Sequence, residues 1–510
     1  MNPSTALRTG VRLLRARSAS VLPVYLLASG LYGVARAPLV IAGVAAVWLL
    51  AARGRLEPFV ELLRDGGGGA VDPGAVEAGE LPPGLGDAVA GLLTPGSVLL
   101  VGGGVLAAAA LAVVASAVGS AAAIGGLAGL LRGDDGVHAA VSGARRRWRS
   151  FVGVRLLLVA AIAAAVAPLA GLVVVLGGTV VGGGVGPAAA AGVLVAVVGG
   201  LVTAVLVSIV LVLFAFADQA VVVDDAGAVA AVGRSLRLPL RRPVAVLAYV
   251  AVAVGAVVGS AAVGSVAAAA GAPRVAALVG TVLVTPILDG FKTSLYAERP
   301  YRPAPDGGSP PLGARLRSAF GGGLRATAEF VRAHPITNAA SLACVAAGGA
   351  AGWTATASFD LDLPVGSDVG NVFGTLPLGT FSNLAANNWL VSVDLAYSGL
   401  AAGIPAVVSL GFNGLVIGAV GGAFDPVAFA ALVAPHGIVE VPALVIGGAA
   451  GLRLGGVAVG ALRGRYDDGD VAAAIRRTYR ILLGLVPLFV VAAFVEAFLT
   501  PAIASAVLSG

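Results

Sequence analysis

The chain has 510 residues, of which 58% are hydrophobic and only 11% are charged, and its mean hydropathy is +0.98. A soluble domain needs far more charge to cover its surface, so this composition excludes a soluble globular protein and predicts an integral membrane protein. The formal net charge of +6 does not indicate a nucleic-acid partner, because the arginines are concentrated in loops beside apolar runs, where they set membrane topology.

Several apolar runs exceed the length of about 20 residues that crosses a bilayer as a helix, and none shows the alternation of a membrane β-barrel. The sequence therefore predicts an all-α fold, a polytopic transmembrane helix bundle with about eleven spans. The first run, 21–52, is interrupted by Arg36 and Pro38, and it is either one long tilted span or an interfacial helix followed by a span. The other runs of the N-terminal half are 97–131, 151–178, 188–217, 243–270 and 275–296.

A hydrophilic linker follows, and the second half of the chain then offers five more apolar runs. The sequence accordingly predicts three regions: an N-terminal multi-span membrane region with about six spans over 1–296, a cytoplasmic linker over 297–335, and a C-terminal five-span module over 336–510. The runs of this module are 336–358, 383–403, 405–422, 436–462 and 481–503.

The distribution of charge predicts the orientation in the cell membrane. Because loops rich in arginine face the cytoplasm, the N-terminus is predicted to be cytoplasmic if the run 21–52 crosses once, and external if it crosses twice. Arginines cluster in the N-terminus, in 132–149, in 217–242, in the linker and in 463–480, whereas acidic residues dominate 57–87 and 358–382.

The sequence offers no motif for a cofactor. Cys344 is the only cysteine, which excludes an internal disulfide and a thiolate metal cluster. The three histidines, His138, His334 and His436, lie in different segments, so we predict no metal site. Neither a dinucleotide fingerprint, nor a P-loop, nor a nucleophile elbow is present, and we therefore predict no cofactor and no enzymatic activity.

Polar residues nevertheless occur where membrane-length helices should be apolar. Ionisable groups within spans commonly mark functional sites, and His436 and Glu440 share one helix face because residues four apart are neighbours on a helix. Three interpretations stay open: an interhelical hydrogen-bond cluster that fixes packing, a transport or ligand site, and a catalytic site, for which no nucleophile is evident. The candidate polar cluster consists of Asn387, Asn388, Asn413, His436 and Glu440.

One segment carries a family resemblance. Pro435-His436-Gly437-x-x-Glu440, with the glycine-rich run that follows, resembles the signature of the stage II sporulation protein M family of multi-pass membrane proteins. Asn387-Asn388 before one span and Asn413-Gly414 in the next are similar to the same family pattern, and the resemblance covers roughly residues 316–510. It implies a five-span membrane module that, in spore formers, works with membrane-associated partners in cell-wall remodelling. The long N-terminal half departs from the plain family member.

Two functions are compatible with these features. We predict a non-enzymatic membrane module, embedded in lipid, that organises or recruits membrane or cytoplasmic proteins; the oligomeric state cannot be read from the sequence. The alternative is a permease for a small solute or ion that uses the candidate polar cluster. A permease should expose this cluster to a water-filled cavity, whereas a scaffold should enclose it in helix contacts. Gly447, Gly451 and Gly455, on nearly one face, predict close packing of their span against another, with a dimer contact as the alternative.

Overall fold

The computed structural model describes residues 1–65, 84–180, 187–301, 310–357, 359 and 377–508. Within these residues the chain is helical and has no β-strand, which confirms the all-α prediction. In chain order the α-helices are α1 (Pro3–Ala16), α2 (Ser18–Gly30), α3 (Gly33–Ala52), α4 (Glu57–Asp65), α5 (Leu85–Leu92), α6 (Pro95–Arg132), α7 (Gly136–Val180), α8 (Pro187–Phe214), α9 (Ala217–Val223), α10 (Ala228–Arg241), α11 (Pro243–Ala269), α12 (Pro273–Val279), α13 (Thr285–Ala297), α14 (Leu312–Ala333), α15 (Pro335–Ala357), α16 (Pro377–Ser398), α17 (Ile404–Ala423), α18 (Pro426–Leu462), α19 (Asp468–Phe494) and α20 (Thr500–Leu508).

The length and composition of these helices agree with a polytopic membrane bundle. Among the described residues, nine helical segments are long and apolar enough to cross a membrane. The helices α15 and α16, at the predicted runs 336–358 and 383–403, have 23 and 22 residues, but serine, threonine and asparagine make them less apolar. The number of about eleven spans therefore stays a prediction, as does the division into 1–296, 297–335 and 336–510.

The described residues form two compact units, each built from several stretches of the chain. In the first unit α1 packs along α13, and the absence of side chains at Gly10 and Gly290 lets the two backbones meet. Arg155 of α7 donates hydrogen bonds to both carboxylate oxygens of Asp218 on α9, at 3.1 and 2.7 Å, and one to Ser120 Oγ at 2.8 Å. The unit takes its described residues from Met1–Val24, Ser116–Val258 and Thr285–Ala304.

The second unit contains the candidate polar cluster, and its core is a set of closely packed helices. The helix α16 packs against α18 and α19, and α15 packs along α17. At Gly451, α18 lies directly against the Leu395 carbonyl of α16, which confirms the close packing predicted from the glycine spacing. This unit takes its described residues from Tyr25–Ala115, Gly259–Val284 and Pro305–Gly510.

Polar side chains in the second unit reinforce this packing by hydrogen bonds to the backbone of neighbouring helices. Each of three buried donors reaches a carbonyl oxygen on another helix, so that a polar atom within the bundle is satisfied by protein rather than by water. The pairs are Ser341 Oγ to Val445 O at 2.7 Å, Thr327 Oγ1 to Ile481 O at 3.2 Å, and Trp389 Nε1 to Leu482 O at 2.7 Å.

The interruption of the first apolar run lies elsewhere than predicted. Arg36 and Pro38 are inside α3, and the break falls at Leu31 and Tyr32, between α2 and α3. Two glycines, Gly30 and Gly33, flank the break, and Gly30 lies against the Val393 carbonyl of α16, an approach that a side chain would block. Pro38 removes only one backbone donor near the start of α3, which a membrane helix tolerates.

The predicted linker 297–335 contains a helix of its own. The helix α14 runs over 22 residues, and residues 302–309 of the linker lie outside the described part of the chain. Its buried residues Gly323, Thr327 and Phe330 recur at helical spacing and form one face. This face packs on α19, where Gly323 meets Gly484. The hydrophilic composition of the segment is that of an amphipathic helix with one face against the bundle.

Candidate functional site

The helix that carries His436 and Glu440 begins well before them. The sequence predicts a span over 436–462, whereas α18 starts at Pro426 and has 37 residues, with Pro435 inside it. Asp425 caps its start by accepting a hydrogen bond from the Ala428 backbone N–H at 2.8 Å. His436 therefore lies in the interior of a long helix and not at its mouth.

His436 and Glu440 form one group with a third residue, Glu496. One ligand-type atom from each of the three side chains, an imidazole nitrogen or a carboxylate oxygen, lies within 4.8 Å of the others. All three residues are half-buried. The i, i+4 spacing brings His436 and Glu440 together on α18, as the sequence predicted, and the packing of α18 against the segment after α19 supplies Glu496.

Glu496 lies on a π-helical turn, Val495–Leu499, which connects α19 to α20. Such turns insert an extra residue into a helix and are frequent at functional sites. The Thr500 hydroxyl donates a hydrogen bond to the Val495 carbonyl at 3.2 Å, within the same irregular turn. Glu496 is not part of the cluster predicted from the sequence. The signal was present, because it is the only charged residue in the apolar run 481–503.

Two buried polar atoms of this group have no hydrogen-bond partner within the described part of the chain. They are His436 Nδ1 and Glu440 Oε2. Glu440 and Glu496 also make no ion pair with any described residue. Since a buried polar atom without a partner costs about 1–3 kcal/mol, the group is suited to a bound proton, cation or polar ligand.

The asparagines of the candidate cluster have other partners. Asn387 Nδ2 donates to Asn388 Oδ1 at 3.1 Å on α16, and Asn413 Nδ2 donates to the Ser409 carbonyl of its own helix, α17, at 2.7 Å. Within the described residues, no hydrogen bond joins these asparagines to His436 or Glu440. The structure thus brings His436 and Glu440 together and adds Glu496 to them. That all five predicted residues form a single site stays a prediction.

Elements from the N-terminal half also contact α16 within the second unit. The Arg36 guanidinium of α3 pairs with the Asp394 carboxylate of α16, whose side chain is 17% exposed. The Arg274 backbone N–H, at the start of α12, donates to Asn383 Oδ1 of α16 at 2.9 Å. These polar residues of α16 therefore attach other helices to it.

Arg453 lies on the C-terminal part of α18, away from Glu440. It lies about 20 Å along the helix axis from Glu440, at a rise of roughly 1.5 Å per residue. There it lines a cavity of about 220 Å³ together with Tyr466, Asp470 and Arg477, near the loop that joins α18 to α19. It cannot contribute to the group of His436, Glu440 and Glu496.

A protein family model matches the part of the chain that contains this site. Residues 341–501 match the family model of stage II sporulation protein M. The resemblance of the C-terminal half is thereby confirmed over a range that runs from α15 into α20 and includes every residue of the candidate cluster, as well as Glu496. We refer to 341–501 as the stage II sporulation protein M region.

Other comparisons add a distant relative. An uncharacterized protein of Methanocaldococcus jannaschii is 28% identical over 134 residues, which is 25% of this chain and 75% of that protein. No solved structure matches the chain. The family match and the apolar helices together identify a multi-pass membrane protein.

Proposed function

We propose that this protein is a non-enzymatic membrane module that organises or recruits membrane and cytoplasmic proteins, with membrane lipid around it and no role for nucleic acid. The observation that carries this proposal is the use of polar side chains for helix attachment. Ser341, Thr327 and Trp389 donate to backbone carbonyls of neighbouring helices, and Asn383 accepts from the backbone of another. A bundle held in this way is a rigid frame on which partners can assemble.

The helix α14 offers a surface for such partners. One face packs on α19, and the other presents Arg317, Arg325 and Arg332, all exposed. An exposed row of arginines on an amphipathic helix beside a membrane attracts anionic lipid headgroups and acidic protein segments. This face supports recruitment at one side of the membrane.

The same charges support a proposed orientation in the membrane. We propose that the protein lies in the cell membrane with α14 and the N-terminus on the cytoplasmic side. In a Cys344→Ser background, a single cysteine in place of the exposed Leu240 should be protected from a membrane-impermeant thiol reagent in intact cells. A cysteine in place of the exposed Glu61 should react. The opposite pattern would reverse the orientation.

Recovery of partners tests the organising role. The full chain is crosslinked in its native membrane and purified, and the bound proteins are identified and quantified against a variant with Arg317, Arg325 and Arg332 changed to glutamine. A partner recovered in stoichiometric amount with the wild type and lost with this variant supports recruitment through α14. The matched control changes three exposed arginines of α7 to glutamine and should retain the partner; these are Arg145, Arg146 and Arg149.

The group of His436, Glu440 and Glu496 favours a second candidate, a permease for a small solute or ion. Ionisable residues next to an irregular helical turn are a common arrangement in transport sites. Sealed proteoliposomes with a pH-sensitive dye inside would reveal proton-coupled flux. Flux that Glu440→Gln abolishes would support the permease, and liposomes no more permeable than protein-free ones would oppose it.

A further inference from the structure

We propose that His436, Glu440 and Glu496 bind one divalent transition-metal ion, of the chemical class of Zn²⁺. The site joins the middle of α18 to the π-helical turn that follows α19. It does not depend on the organising role proposed above, because it concerns a bound ion and not a partner. It differs from the sequence-based expectation of no metal site, which rests on the single cysteine and on the separation of the three histidines.

The donor set indicates the class of ion. One imidazole nitrogen and two carboxylate oxygens are ligands that Zn²⁺ and its neighbours among the divalent transition metals accept. Mg²⁺ and Ca²⁺ prefer sites made of oxygen atoms alone, so a histidine among the ligands disfavours them. Three protein ligands leave the fourth position of a tetrahedral Zn²⁺ open to water.

The geometry needs only a small adjustment. The three ligand atoms lie within 4.8 Å of one another. Zn²⁺ bonds its ligands at about 2.0–2.2 Å, so tetrahedral ligand atoms lie about 3.3–3.6 Å apart. Glutamate side chains have three rotatable bonds, and rotations of Glu440 and Glu496 can close a gap of about 1.5 Å without moving the helices.

The electrostatics of the group favour a cation. Glu440 and Glu496 bring two carboxylates together in a half-buried position, and neither forms an ion pair with a described residue. Two negative charges in such a position repel each other and are poorly solvated. A divalent cation neutralises both. It also gives the buried atoms His436 Nδ1 and Glu440 Oε2 a partner that the described side chains do not provide.

Metal binding to the purified full-length protein tests the proposal. The protein is treated with a chelator in detergent and titrated with Zn²⁺, and the bound metal is counted by mass spectrometry. We expect one ion per chain, and an affinity at least about tenfold lower for each of His436→Gln, Glu440→Gln and Glu496→Gln. Matched controls change an exposed histidine and an exposed glutamate outside the group, His138→Gln and Glu329→Gln, and should bind as the wild type does.

A spectroscopic measurement on the wild type keeps the test valid if a variant fails to fold. Zinc X-ray absorption should show one imidazole ligand with oxygen ligands at about 2.0–2.2 Å, and a tenfold excess of Mg²⁺ should not displace the ion. The proposal is overturned if the wild type binds no Zn²⁺ or if the three variants bind it unchanged. A spectrum without imidazole, or loss of binding in the controls alone, overturns it equally.

Discussion

Replacing Gly451 with alanine should destabilise the stage II sporulation protein M region, because α18 packs on α16 there without space for a methyl group. A Cβ at position 451 would overlap the Leu395 carbonyl oxygen and lie 3.2 Å from the Ala406 Cβ of α17. Neither neighbour can rotate away, since one is backbone and the other is a single methyl group. The helices themselves must move apart to admit the new atom.

The magnitude follows from comparison with a glycine on the same helix. Overpacking a close contact typically costs about 1–3 kcal/mol. A glycine-to-alanine change also favours the helix by roughly 0.5–1 kcal/mol, whatever the tertiary contacts. Gly456 has no atom within 4 Å of the Cβ position. Gly456→Ala should therefore stabilise the helix without any overpacking cost. The two variants should therefore differ by the overpacking cost, about 1–3 kcal/mol, with Gly451→Ala the less stable.

Thermal unfolding in one detergent, followed by tryptophan fluorescence, measures this difference. The buried Trp389 lies on α16, the helix that must shift, so its emission reports the relevant contact. Equal unfolding midpoints for Gly451→Ala and Gly456→Ala would refute the reasoning, because they would mean that α16 and α18 do not approach as closely as described.

Two further predictions concern polar contacts inside the bundle. Asp218→Ala should lower the free energy of unfolding by about 3 kcal/mol, because it removes the carboxylate that pairs with the largely buried Arg155, whereas Asp134→Ala, which breaks an exposed ion pair, should change it by less than about 1 kcal/mol. Denaturant titration separates the two, and equal effects would contradict the burial argument. Trp389→Phe removes the hydrogen bond to the Leu482 carbonyl and should cost about 0.5–1.5 kcal/mol; an unchanged midpoint would make that bond energetically neutral.

Composition and run length are sufficient to predict the fold class. In lipid the backbone N–H and C=O groups of these apolar runs must form hydrogen bonds within the protein, and a helix allows this. The helix boundaries are harder to predict, because a proline within a helix often ends or kinks it. Pro435 lies inside α18 and Pro38 inside α3, where neighbouring helices compensate for the missing backbone donor. The break between α2 and α3 lies where Gly30 meets the Val393 carbonyl of α16, and a local pattern does not contain that contact.

The helix α14 shows what hydropathy alone overlooks. Its residues are too polar for a span, and hydropathy therefore predicts a linker. The spacing of Gly323, Thr327 and Phe330 nevertheless marks one helix face, and that face is the one buried on α19. Periodicity predicts a buried face even where mean hydropathy indicates exposure.

The candidate site is likewise predictable only in part, because one of its contacts is local in sequence and the others depend on long-range packing. The pair of His436 and Glu440 follows from a four-residue spacing on one helix, which the sequence displays. Their association with Glu496 depends on which faces of two helices meet and on a π-helical turn that redirects the side chain, and neither is visible in the sequence.

Isolated charges in apolar helices nevertheless limit the possible pairings. A charge within a span requires a partner, and Arg36 and Asp394 satisfy each other because they have opposite signs. Glu440 and Glu496 have the same sign, so their proximity increases the electrostatic cost instead of relieving it. Two carboxylates beside an imidazole are stable in such a place only if a cation or protons are bound with them. The need for a cation or bound protons distinguishes this group from the asparagine and serine contacts that only hold helices together.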